Sequence, residues 1–157
     1  MILYRYNDFF KEQLYKFKGC YDVELRTVFL EYYVDYLKIK YRNYIIVPAP
    51  SYIEHDQKRG FNHVEEIYKC LNLKICKCIH KIDDMKQSDL SFYQRSRIIK
   101  HLYIDKNKFL EGKKILLVDD VYTSGSTIKA MIFLIKKVKP KTIKILLLAK
   151  AGRNMDL

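Results

Sequence analysis

Two adjacent carboxylates, Asp119 and Asp120, are followed by Val121, Tyr122 and a run of small hydroxyl residues around one glycine, Thr123-Ser124-Gly125-Ser126-Thr127. Hydroxyls and free backbone N–H groups beside a glycine suit a bound phosphate. Glycine lets the backbone approach the anion, and the first turn of a following helix offers unpaired donors at the positive end of its dipole. Carboxylates do not bind phosphate, but they accept hydrogen bonds from the vicinal hydroxyls of a ribose, or hold Mg2+. Together the two groups imply a ribose with a 5′-phosphate. Rival phosphate and nucleophile motifs fail on spacing. A dinucleotide loop needs Gly-x-Gly-x-x-Gly, yet the next glycine after Gly125 is Gly152. A Walker loop needs Lys after its glycine, where this chain has Ser126. The Gly-x-Ser-x-Gly elbow of a serine hydrolase does not occur.

The elements that must position these groups follow from periodicity. Residues 115–118 are an apolar run of strand length, and residues 127–138 repeat apolar positions at helical spacing, with Pro140 beyond. A last strand is expected over 142–149, and others over 44–47, stopped by Pro48 and Pro50, and over 74–79. The first 42 residues look helical. One helix is expected over 8–18, ended by Gly19, and a second over 22–41 with Leu25, Val28, Phe29, Tyr32 and Tyr36 on its core face. Another spans 62–71, carrying Val64, Ile67, Tyr68 and Leu71 on one face, and a short one is expected within 90–99. Strands alternating with helices predict an α/β fold, a parallel doubly wound sheet with helices on both faces. At 157 residues and 49% hydrophobic, the chain is expected to be a single domain over 1–157.

From residue 115 to residue 127 the chain resembles the signature of the type I phosphoribosyltransferases: four apolar residues, two acids, then Thr-Ser-Gly-Ser-Thr. The resemblance implies a site for 5-phosphoribosyl 1-pyrophosphate (PRPP). Asp119 and Asp120 would meet the ribose 2′ and 3′ hydroxyls, the loop Thr123 to Thr127 would wrap the 5-phosphate with Val121 and Tyr122 also at the ligand, and Mg2+ would be the cofactor. Further segments narrow the family. Pro48-Ala49-Pro50 with Ser51 ends a strand, and Lys58-Arg59-Gly60-Phe61-Asn62 leads into a helix with Asn62 as N-cap. Gln87-x-x-Leu90 with Arg95 lies where this fold carries a cover over the site. In this order the segments resemble the ComF family of competence-associated phosphoribosyltransferase-like proteins. That likeness implies a PRPP-binding protein linked to DNA uptake, with Pro50 and Ser51 at the ligand, Arg59 on the pyrophosphate, and Gln87 and Arg95 in the cover. Two departures stand out. The family often opens with a four-cysteine zinc module, none precedes Tyr4, and zinc is not expected. It also usually carries Asn just after the cover arginine, where this chain has Ile98 and Ile99.

Transfer from PRPP requires no nucleophile or dedicated base. Pyrophosphate leaves C1 through an oxocarbenium-like state, so positioning and charge neutralisation do the work. Asp119, Asp120 and Arg59 are the candidates for it, with Arg95 assisting. His55 and His63 beside the Arg59 loop are expected to be exposed loop or helix residues. The acceptor base has no motif. A different class, a non-catalytic nucleic-acid-associated protein, is suggested by the net charge of +12. After Val121 eight Lys/Arg face one acid, Asp156, with Lys129, Lys136, Lys137, Lys139, Lys141 and Lys144 on or just after one helix. A lysine-, isoleucine- and tyrosine-rich composition also follows from an A/T-rich genome. A third option is a PRPP-responsive regulator. The partners implied are PRPP and single-stranded DNA or a DNA-uptake protein, with room for an oligomer. Cys20, Cys70, Cys76 and Cys78 lack zinc or disulfide spacing, and no apolar run approaches a membrane span, so a cytoplasmic protein with reduced thiols is expected.

Overall fold

The computed structural model describes residues 1–20, 22–52, 56–58, 60–81, 102–105 and 108–151. Its centre is a four-stranded parallel sheet, β1 (Ile2–Arg5), β2 (Tyr44–Pro48), β5 (Lys114–Tyr122) and β6 (Thr142–Lys150), in the order β1-β6-β5-β2. The apolar runs that make β5 and β6 are buried on both faces, which is why they read as continuous rather than alternating. Ile46, Leu116, Val118, Leu146 and Leu148 face one core, and Ile45, Val47, Ile115, Leu117 and Leu147 the other. The first core takes α1 (Asp8–Gly19), α2 (Val34–Tyr41) and α3 (His63–Lys69). The second takes α4 (Ser126–Lys136) and the antiparallel pair β3 (Ile79–Lys81) and β4 (Leu102–Ile104). The expected parallel α/β sheet with helices on both faces is what the chain forms.

Several expectations give way. Residues 2–5, within the stretch read as helical, form the edge strand β1, with Ile2 in register with Leu147. The single helix expected over 22–41 is broken into 3-10 turns at Val23–Arg26 and Glu31–Tyr33 before α2 begins. Tyr32 is 87% exposed and Val28 and Tyr36 are also exposed, whereas Phe29, Leu30, Leu37 and Tyr41 are buried. Phe29 wedges against Phe10 and Phe17 of α1, with ring centroids 5.8 and 5.5 Å away, and this packing overrides the helical spacing. The strand expected over 74–79 reduces to one bridge, Ile75 to Ile46, after which the chain leaves the sheet and starts β3. Among the described residues the four cysteines are free thiols, and burial pushes Cys78 up to about 12. Among them also, no helix is long and apolar enough to cross a membrane.

Candidate functional site

The carboxyl ends of β2 and β5 lie side by side, with Pro48 opposite Val118 and the Ala49 amide donating to the Val118 carbonyl at 2.8 Å. From β2 the chain goes to α3 on one face, and from β5 to α4 on the other. The crevice at such a reversal is where open α/β sheets bind ligands. Asp119 and Asp120 sit there at the end of β5, and Pro50 and Ser51 follow directly on the end of the neighbouring β2.

The two acids have different surroundings. Asp119 is partly buried, and its desolvation raises it to about 6 from the ordinary carboxylate value, against the pull of Lys18 and then Lys81. Its Oδ1 accepts the Asp120 amide at 2.9 Å. Its backbone carbonyl accepts the hydroxyl of fully buried Tyr68, which also reaches the Leu146 carbonyl, tying α3 to β5 and β6. Asp120, only 7% exposed, points at the face covered by α1 and α3. Its Oδ2 is ion-paired with Lys18 Nζ and lies 3.2 Å from His63 Nε2, and its Oδ1 accepts the Val121 amide at 2.5 Å. His63, expected on the exposed side of its helix, is instead turned inward with a side chain 12% exposed, because α3 lays its first turn against Asp120.

After Tyr122 the chain turns through Thr123, Ser124 and Gly125 into α4. Gly125 caps the helix at φ +74°, a left-handed conformation that disfavours side chains. A Cβ on Gly125 would also lie 2.5 Å from the ring of Tyr122, which folds over it. Ser124 Oγ accepts the Ser126 amide at 3.3 Å and is 3.0 Å from Ser126 Oγ, so hydroxyl and amide donors converge at the helix start. Thr123, Ser124, Ser126 and Thr127 are exposed there, beside partly exposed Val121 and Tyr122. This is a turn that can hold an anion through several donors at once.

The loop after β2 is fixed by a network that spacing did not show. Asn62 Nδ2 donates to Ser51 Oγ at 2.7 Å and to Asp56 Oδ2 at 3.0 Å, and Ser51 Oγ donates to Asp56 Oδ2 at 2.5 Å. Asn62 also N-caps α3 by accepting the Glu65 amide. Lys81 lies over the Tyr52 ring at 3.3 Å. Arg59, His55, Gln87, Leu90, Arg95 and the helix expected within 90–99 lie outside the described residues. Lys18, His63, Tyr68 and Lys81 are site residues that carry no local motif; only their meeting in space marks them.

A divalent cation held by both carboxylates does not fit this donor set. Asp120 commits one oxygen to an amide and the other to an ammonium, and Mg2+ requires a near-octahedral oxygen shell.

A phosphoribosyl transferase domain model matches residues 81–155. Competence protein ComFC of Bacillus subtilis (strain 168) is 31% identical over 129 residues, 80% of this chain and 53% of that protein. Competence protein ComFC of Streptococcus pneumoniae is 33% identical over 137 residues, 87% of this chain and 60% of that protein. The chain thus spans between half and two thirds of these curated relatives. Among solved structures, an adenine phosphoribosyltransferase from Saccharomyces cerevisiae overlays with a TM-score of 0.54 at 11% identity, covering 82% of this chain and 69% of that one. A hypoxanthine phosphoribosyltransferase from Staphylococcus aureus overlays with a TM-score of 0.53 at 13% identity, covering 83% and 65%. At such identities the overlays speak for the fold alone.

Proposed function

Since the chain is a member of the ComF family with a phosphoribosyltransferase-like fold, we propose that it binds PRPP at the carboxyl ends of β2 and β5 and transfers the phosphoribosyl group to an acceptor in a competence-linked process in the cytoplasm. The observation that carries this is the contiguity of Asp119, the turn Thr123–Ser124–Gly125 and the start of α4 on one strand end. The 5-phosphate sits against the donors of the turn, and Asp119 accepts from a ribose hydroxyl. Pyrophosphate leaves towards the loop after β2, where Arg59 supplies positive charge. The C1–oxygen bond breaks as the acceptor attacks from the opposite side, and fixed geometry lowers the barrier.

A second reading is favoured by a separate observation. The amino ends of the parallel strands gather exposed lysines, Lys113, Lys139, Lys141 and Lys144, with Lys40 and the Met1 amine, whose pKa is lowered by burial, then by Lys40 and Lys144. Glu111 is the acid beside them in sequence. This basic pole suits a polyanion such as single-stranded DNA, for which PRPP would be a signal rather than a substrate.

Calorimetry with PRPP tests the first reading. Binding is expected, and a hundredfold excess over Kd should stabilise the fold by about 2.7 kcal/mol. Release of pyrophosphate when free nucleobases are added distinguishes transfer from sensing. Failure to detect heat at millimolar PRPP overturns the assignment of the site.

A further inference from the structure

Lys18 belongs to no motif, yet its ammonium is the partner of Asp120. It lies in the last turn of α1, where the helix dipole favours any cation. Lys16, in the same turn, meets Glu12 in solvent, whereas Lys18 is largely covered and reaches Asp120 on the face that α1 and α3 cover. A desolvated carboxylate without a partner is strongly unfavourable, so a buried acid here needs a permanent counter-charge. Lys18 supplies it, His63 Nε2 flanks it at 3.2 Å, and the remaining oxygen holds the Val121 amide. Val121 in turn leads directly to the turn at Gly125. A second cation at this position would meet an ammonium already in contact with the oxygen it needs.

Building on the PRPP site proposed above, we infer that Lys18 is the resident counter-cation of the acidic pair. It takes at Asp120 the place a protein-held divalent metal would take, it leaves Asp119 alone to meet the ribose, and metal enters only with the ligand's own pyrophosphate. Lys18 is thus a positioning residue acting through Asp120 on the strand end that carries the phosphate turn.

Mn2+ alone, titrated into the PRPP-free full chain and followed by electron paramagnetic resonance, reads this directly. Wild type and Lys18→Arg should bind no Mn2+ more tightly than about 1 mM at the pair. Lys18→Met should gain a site at least about tenfold tighter, and Asp120→Asn added to it should remove that site. Lys18→Met should also weaken PRPP about tenfold, with rescue by added Mn2+, while Lys18→Arg keeps wild-type affinity. Wild type that binds Mn2+ at micromolar levels and loses it on Asp120→Asn overturns the inference, as does a folded Lys18→Met that gains no site. The wild-type titration decides even if Lys18→Met does not fold. Wild type that ignores PRPP strikes the proposed function instead, because the Mn2+ measurement involves no PRPP.

Discussion

Asp119 is a residue whose stability and function conflict. Burial raises it to about 6, so the folded protein holds a proton that the unfolded chain has already released. Its stabilising contribution is therefore full below about pH 4 and is lost as pH rises through about 6, with an upper bound near 3 kcal/mol. Asp119→Asn should remove that slope and raise the melting temperature at pH 7, while PRPP binding falls below detection, since an amide is a poor substitute for a carboxylate accepting from ribose hydroxyls. Melting curves from pH 4 to 7 with and without PRPP check both halves; a variant that binds PRPP as wild type refutes the ribose contact. The sequence made the acid pair conspicuous but gave its members one role. Lys18, Asp120 and His63 come from α1, β5 and α3, and no local pattern reports such a meeting. Spacing on α3 likewise left His63 as an ordinary helix residue, because what turned it inward is a charge far along the chain.

At the scale of elements, β5, its turn and α4 were legible because all their determinants are local: an apolar run, small hydroxyl residues, one glycine, then helical periodicity. Gly125→Ala tests the turn. The left-handed φ should cost about 1–2 kcal/mol, and the new Cβ must push the Tyr122 ring away. Pairing it with Tyr122→Ala should relieve the steric part while leaving the backbone strain, a non-additive result readable in chemical denaturation. Asn62→Ala should lower stability by about 1 kcal/mol for the lost cap. It should also weaken PRPP binding, because Ser51 and Asp56 lose their common partner; unchanged binding would show that the β2 loop is held otherwise. The regions that sequence misassigned have a shared cause. β1 is a short, half-buried edge strand with little pattern of its own, and in 22–41 the buried set Phe29, Leu30, Leu37 and Tyr41 is chosen by the aromatic side chains of α1 rather than by a helical stripe.

Across the whole molecule, parallel strands give the sheet two chemically different ends. The carboxylates and the Thr123–Ser124–Gly125 turn occupy one; at the other lie the last turn of α4, ending at Lys136 roughly 16 Å along its axis, and the lysines that follow it. Changing Lys136, Lys137, Lys139 and Lys141 to Glu should abolish any salt-sensitive binding of single-stranded DNA and leave PRPP affinity within about twofold, because screened charges at that distance couple weakly. Loss of both ligands together would place them at one end. The strand order carries another consequence, for how the protein comes into being. β1 pairs with β6, joining Ile2 to Leu147, and β5 is flanked by strands from opposite parts of the chain. Contacts so distant in sequence slow folding. During synthesis the first strand waits for almost the last before it has a neighbour, and until then its apolar edge is open to other nascent chains. An unpaired edge of that kind favours aggregation while the chain is still growing, so a chaperone's effect should appear in the yield of folded protein rather than in the activity of what has folded.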